Sequence, residues 1–226
     1  MCGRYNFSKA KKLQERYNTI NAYDKDPEYN VAPSMVMPVI ILRPDGTKEA
    51  IGMKWGLVPH WAKEPNVKFS TINARAETVS SSPVYKVPFA RFRCLVPADG
   101  FFEWKKTTDN KIKIPYYIHL THEDIFSFAG LYDIWKDAEG KEFPSFTIIT
   151  TTPNKIMEPI HNRMPVVLKR DDEERWLDPT EDQTRLHHLL VPSPASDMAA
   201  YTVSTRVNSP KNNSADILQP YDYTTP

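Results

Sequence analysis

Arg91-Phe-Arg-Cys-Leu-Val-Pro-Ala-Asp-Gly-Phe-Phe-Glu-Trp104 reads as two strands in succession, one over residues 91–98 and a second opening at 101–104. Downstream, residues 112–120 and 125–135 extend the sheet through polar turns, and Ala138-Glu-Gly140 signals a hairpin into 146–151. Upstream, Asp45-Gly46 joins an apolar strand over 36–42 to a return strand over 47–55. Residues 164–168 and 201–205 read as later strands. Helical patterns lie outside this middle. Ser8 is placed to N-cap a helix through about Tyr17, residues 153–160 suit a short helix, and 171–177 and 181–190 look helical. Strands in the middle with helices near the start and in the last third give an α+β fold. We expect a single β-rich domain over 1–226, with a curved, mostly antiparallel sheet or barrel-like core, peripheral helices and a polar C-terminal tail over 210–226.

Composition narrows the function classes. The 226 residues are 40% hydrophobic and 25% charged, which is typical of a globular domain. No apolar run approaches a membrane span and no apolar signal region opens the chain, so a cytoplasmic protein is expected, nucleoid-associated if bacterial. Twenty prolines against seven glycines imply many fixed, non-helical connections. A net charge of +1 exerts no global pull on nucleic acid, so such binding needs a local basic surface. Lys9, Lys11, Lys12, Lys54, Lys63, Lys68, Lys105, Lys106, Lys111 and Lys113, with Arg75, Arg91 and Arg93, crowd the first half and permit one. The acidic run Asp171-Asp-Glu-Glu174 lies in the second half.

The two cysteines form no disulfide framework. Cys94 sits in an apolar run and reads as a buried strand thiol. Cys2 follows the initiator methionine and is small enough for Met1 to be trimmed. A terminal cysteine presents a thiol and an α-amine on adjacent carbons, with reference pKa values of about 8.5 and about 7.7–8.0. Such a pair condenses with an aldehyde to an imine, which the thiol closes to a five-membered thiazolidine. Position alone favours the plainer reading of an early small residue.

Other segments put polar residues where a fold alone would use apolar ones. Glu103 stands between aromatics. Strand alternation places it outside or inside with equal ease, and an inward position would raise its pKa toward that of a proton donor near pH 7. His161 lies between Pro159 and Pro165 with Arg163 close by. Asn73 and Arg75 are two apart and share a face in an extended stretch. There is no GxGxxG, P-loop, CxxC or HExxH pattern, so no metal site and no cofactor are expected.

These blocks occur together in one order. Met1-Cys-Gly-Arg4, Asn30-Val-Ala-Pro33, Trp55-Gly-Leu-Val-Pro59 with Trp61, and Ile72-Asn-Ala-Arg-Ala-Glu-Thr78 are followed by Cys94-Leu-Val-Pro-Ala-Asp-Gly-Phe-Phe-Glu-Trp104. Phe128-Ala-Gly-Leu131, Ile149-Thr-Thr-Thr-Pro153, Ile160-His-Asn-Arg-Met-Pro165 and Val203-Ser-Thr-Arg-Val-Asn208 complete the series. The set resembles the SOS-response-associated peptidase (SRAP) family along essentially the whole chain. The resemblance implies a DNA-protein crosslinker that captures abasic sites in single-stranded DNA as a thiazolidine on an N-terminal cysteine. The peptidase of the family name is understood as self-processing that exposes this cysteine, a step that methionine removal would replace here.

Carried onto this chain, the resemblance implies Cys2 as nucleophile, Asn73 holding cysteine and sugar, Glu103 moving protons, and His161 assisting ring opening and release. Arg4, Arg75 and Arg163 would hold flanking phosphates. Trp61 and the Asn30–Pro33 loop would stack on or wedge beside bases, and Thr151 would join the DNA-binding set. The expected partner is single-stranded DNA with abasic sites, bound by a monomer with no membrane association. His60 stands where small residues are common in the family and reads as surface variation. Three rivals remain: an N-terminal-nucleophile amidohydrolase using Cys2, a cysteine peptidase using Cys2, His161 and Glu103, and a single-strand binding module stacking bases on Trp55, Trp61 and Trp104.

Overall fold

The computed structural model of the protein describes residues 2–65, 70–107 and 113–223. Met1, Lys68, Lys111 and the expected strand start at Ile112 lie outside the described residues. Thirteen strands occur among them: β1 (Tyr5–Phe7), β2 (Glu28–Val31), β3 (Val36–Leu42), β4 (Lys48–Trp55), β5 (Asn73–Arg75), β6 (Arg93–Ala98), β7 (Gly100–Lys106), β8 (Lys113–Leu120), β9 (Phe126–Lys136), β10 (Glu142–Thr151), β11 (Met164–Pro165), β12 (Val167–Leu168) and β13 (Met198–Thr202). The α-helices are α1 (Leu13–Tyr17), α2 (Lys86–Arg91), α3 (Glu173–Leu177) and α4 (Gln183–His188). None is long and apolar enough to cross a membrane.

The strands form two layers. In one, β3, β4, β10, β9 and β6 pair in a closed ring, with Phe146 opposite Tyr132 completing the circuit between β10 and β9. Closure removes the free edges that an open sheet must protect. The other layer is a five-stranded antiparallel sheet ordered β13-β8-β7-β1-β2. The barrel-like, mostly antiparallel expectation therefore holds. β4 and β5 are the exceptions, each running parallel to β10.

The open sheet is covered on both sides. Tyr5 and Phe101 face the barrel, where Tyr5 meets Trp55 and Phe128 edge-on at 5.2 and 5.9 Å. Phe102 and Tyr117 face a smaller apolar cluster with Val203, Val207 and Ile217. The C-terminal segment is polar in sequence yet docked: Ile217 is buried and Asn213 Oδ1 accepts the Tyr29 and Asn30 backbone N–H groups.

Several local expectations give way to distant partners. Ser8 caps no helix, because its backbone N–H and its hydroxyl both donate to Asp99 Oδ2 at 2.7 Å. The helix is shorter as a result, with a 3-10 turn at Ala10–Lys12 leading into α1. Residues 153–160 form successive turns rather than a helix. Asn154 Oδ1 accepts the Ile156 and Met157 N–H groups, and Pro159 has no N–H to extend the ladder. Arg91, expected to open a strand, instead ends α2, and β6 starts at Arg93; Pro88 lies in the first turn of α2, where its missing N–H costs least. The 164–168 run is split: β11 pairs with β10, β12 with β9, and Val166 bridges both by accepting from Ala129 and donating to Ile149. The last helical stretch is only α4, N-capped by Asp182, and the final strand starts earlier, at Met198.

Arg93, counted among the surface cations, is buried instead. Its guanidinium donates to the carbonyls of Trp176, Phe89, Ala90 and Asp178 at 2.6–2.9 Å. These bonds tie α2 and α3 to the barrel strand β6. Arg93→Ala orphans several buried carbonyls at about 1–3 kcal/mol each, so a loss of about 3–5 kcal/mol is expected. Urea denaturation checks this; a loss below about 1 kcal/mol would show that water replaces the guanidinium.

Candidate functional site

Cys2 lies fully buried three residues before the start of β1. Asn73, on β5, donates from Nδ2 to the Cys2 carbonyl at 2.8 Å. β5 is held in turn by β10, through Asn73 opposite Ile148, and by the Tyr85 hydroxyl, which donates to the Asn73 carbonyl. Asn73 Oδ1 is buried and has no partner among the described residues. Such an acceptor is costly to leave unmade, which marks a place where a ligand donor fits.

Glu103 lies on the Phe101 side of β7, toward the barrel, and is 3% exposed. Burial raises its carboxyl pKa above the ordinary value, and the His161 imidazole acts in the opposite direction. Cys2 and Glu103 sense one another: burial first, and the Glu103 charge second, push the Cys2 thiol far above its ordinary range. The thiol is thus protonated near neutrality and directed at the Arg4 carbonyl 3.9 Å away.

His161 follows the 153–160 turns. Its Nδ1 lies 3.0 Å from the Arg163 backbone N–H and 3.1 Å from the Arg163 carbonyl, so this backbone fixes the ring and turns Nε2 outward from it. Glu103 and His161 share a cavity of about 440 Å³ with Trp104, Lys106, Lys113 and Asn208. Lys106 and Lys113 stand directly opposite each other on β7 and β8. Like charges in that position repel, so this pair suits an anion. Neither contributed to the site read from sequence; the signal was two lysines flanking a hairpin, legible only once the register is known.

The arginines differ in availability. Arg4 donates from Nη1 to Asn30 Oδ1 and to the Val207 carbonyl, both at 2.8 Å, and lies 5.9 Å from the Trp104 ring centre. Arg75 is exposed on β5. Arg163 forms a fork with Glu77 at 2.6 and 3.0 Å and donates to the Thr150 carbonyl. Asn30 is buried, and its Nδ2 reaches the carbonyls of Val207, Ser209 and Asn212, so its contacts position Arg4 and the chain end. Thr151 is buried, with its hydroxyl on the Leu190 carbonyl. Neither Asn30 nor Thr151 lines the cavity. Pro33 is half-buried beside exposed Ser34, whose φ is +74°.

The aromatic residues separate clearly. Trp55 is core, donating to the Ile72 carbonyl and stacked with Phe146. Trp104 is partly covered and donates to Asn208 Oδ1 at 2.7 Å. Trp61 is 54% exposed. Its loop is pinned where Val58 donates to Ser145 Oγ, His60 to Asp133 Oδ2, and Trp135 Nε1 to the Ala62 carbonyl. A large apolar ring is thereby held out into solvent by a rigid support.

Comparison with known proteins identifies the family. A family model described as SOS response associated peptidase (SRAP) matches residues 1–210. The abasic site processing protein YoqW of Bacillus subtilis is 45% identical, the alignment covering 97% of this chain and 99% of that protein. The abasic site processing protein HMCES of Xenopus tropicalis is 34% identical over 85% of this chain and 65% of its own length. A crystal structure of a Bacteroides thetaiotaomicron protein superposes with a TM-score of 0.86 at 32% identity, covering 97% of this chain and all of that one. The chain belongs to the SOS response associated peptidase (SRAP) family.

Proposed function

We propose that this protein captures abasic sites in single-stranded DNA by forming a thiazolidine on Cys2 once Met1 has been removed. The observation that carries this reading is the buried group of Cys2, Asn73 and Glu103 beside a cavity lined by His161, Lys106 and Lys113.

The chemistry needs no redox partner. The Cys2 amine adds to the aldehyde carbon of the ring-opened sugar, giving a carbinolamine. Protonated Glu103 supplies the proton with which the hydroxyl leaves as water, and an iminium forms. The carboxylate then takes the thiol proton as sulfur adds to the same carbon. One C–N and one C–S bond form, and one water is released. His161 assists opening of the sugar ring and, in reverse, release. Asn73 holds the Cys2 carbonyl, and its free Oδ1 receives an N–H or sugar hydroxyl. Arg4, Arg75, Arg163, Lys106 and Lys113 hold phosphates, Arg163 exchanging Glu77 for one.

Burial explains why the thiol stays quiet until substrate arrives. A protonated thiol is a poor nucleophile and resists oxidation. The iminium beside it supplies the positive charge that favours the thiolate. The family's peptidase label refers to self-processing that exposes the cysteine, a step that ordinary removal of Met1 would replace here.

Single-stranded DNA carrying one abasic site is the test. A denaturing gel is expected to show a retarded band with protein whose intact mass shows that Met1 is absent. No band with that protein would overturn the reading. Trp61→Ala is expected to weaken noncovalent binding by about 1–3 kcal/mol, the worth of one base stacked on an aromatic. Anisotropy with an uncleavable tetrahydrofuran site measures it, and unchanged affinity would remove Trp61 from the DNA path.

A further inference from the structure

A second cavity, of about 330 Å³, opens beside the Trp61 loop. Val87, Phe92, Tyr132 and Ile134 give it apolar walls, and His60 and Arg91 supply its polar groups. His60 is not simple surface variation. Asp133, 4% exposed, accepts both the His60 backbone N–H and His60 Nδ1 on Oδ2, each at 2.9 Å, and takes the Ile134 N–H on Oδ1. An ionised carboxylate only accepts, so the proton at this contact is on Nδ1. The ring is thereby fixed and Nε2 is left for a ligand. Arg91 is exposed at the end of α2 and makes no ion pair among the described residues.

We infer that this cavity is a second nucleotide subsite. It receives the base of a nucleotide flanking the lesion against the Phe92 and Tyr132 walls, where a base N–H donates to His60 Nε2, with that nucleotide's phosphate on Arg91. The inference rests on the DNA reading above. Three observations favour DNA as the occupant. His60 adjoins Trp61 on the same pinned loop, so a base on Trp61 brings its neighbour to this opening. The single carboxylate at the site is buried under three donors, so Arg91 sets the charge met by a ligand. A cavity with mostly apolar walls and few convergent polar groups, within the range of about 300–1,000 Å³, is the usual form of a small-ligand site.

The test uses single strands with a central tetrahydrofuran site and 2-aminopurine at successive flanking positions. The variants are Arg91→Ala and Val87→Glu, both at exposed helix positions. One flanking position is expected to change fluorescence on binding wild type and to lose that change in Val87→Glu. Arg91→Ala is expected to lower the slope of log K against log salt by about 0.7, one phosphate's share on a single strand. Both losses should vanish with strands truncated before that position. Unchanged fluorescence and slope in both variants would overturn the subsite. A lost slope without any fluorescence change would also overturn it, leaving a phosphate contact with no base in the cavity. Wild-type crosslinking to a true abasic site, run in parallel, separates the two readings. Its failure with the variant effects intact would overturn the chemistry and keep the subsite. Failure of wild type to bind any strand would overturn both.

Discussion

Cys2→Ala is expected to abolish the heat-stable crosslink while leaving affinity for an uncleavable abasic analogue within about twofold, because truncation removes ring closure by sulfur alone. The terminal amine survives in this variant, so an imine still forms. Borohydride should therefore trap an adduct with Cys2→Ala that disappears on heating when the reductant is omitted. Cys2→Ser should behave alike, since a hydroxyl is a far weaker nucleophile than a thiol. Cys94 provides the internal control. It is fully buried in β6, where burial alone lifts its thiol pKa, and Cys94→Ala should crosslink normally. A heat-stable, unreduced crosslink in Cys2→Ala would overturn the thiazolidine.

Glu103→Gln is expected to slow crosslinking by about 10²–10⁴, the usual worth of a positioned acid–base group. DNA affinity should change by less than about twofold. The same variant should be more stable than wild type by about 0.5–2 kcal/mol, because the fold no longer desolvates a carboxyl. The sign in pH follows from the raised pKa. A carboxyl with a folded pKa above its ordinary 4.5 favours the folded state while protonated. That contribution is complete below the unfolded value and is lost as pH rises toward the folded one. The stability advantage of Glu103→Gln should therefore be small near pH 4 and grow toward neutrality. Melting curves across pH read the stability, and single-turnover crosslinking reads the rate. Equal losses in rate and affinity would make Glu103 structural.

The two readings of Glu103 show where sequence pattern stops. β7 is buried on both faces, Phe101 against the barrel and Phe102 against the second cluster, so alternation carries no inside-or-outside signal. The β3–β4 hairpin was legible, since Asp45-Gly46 and two periodic runs are local. The split at Val166 was not, because the two halves of one apolar run choose β10 and β9, far away in the chain. Ser8 has the right type for a cap and meets Asp99 instead. In the site, Cys2, Asn73, Glu103 and His161 stand out as polar residues in apolar blocks, and Asn73 does meet Cys2 while Glu103 and His161 share a cavity. Asn30 and Thr151 stand out equally, yet Thr151 bonds a backbone carbonyl, and Asn30 divides its amide between backbone carbonyls and Arg4. The His60–Asp133 contact joins residues 73 positions apart and leaves no trace in either local pattern.

The place of β1 in its sheet has a mechanical consequence. β1 lies between β7 and β2, hydrogen-bonded on both sides, and Cys2 leads directly into it. With the proposed crosslink formed at Cys2, a translocating motor that pulls on the DNA would deliver its load at residue 2. Tension directed along β1 shears two ladders at once, whereas tension across the sheet opens them bond by bond. The anchorage should therefore resist force anisotropically, with the direction of pull deciding whether the protein holds or unravels from its reactive end.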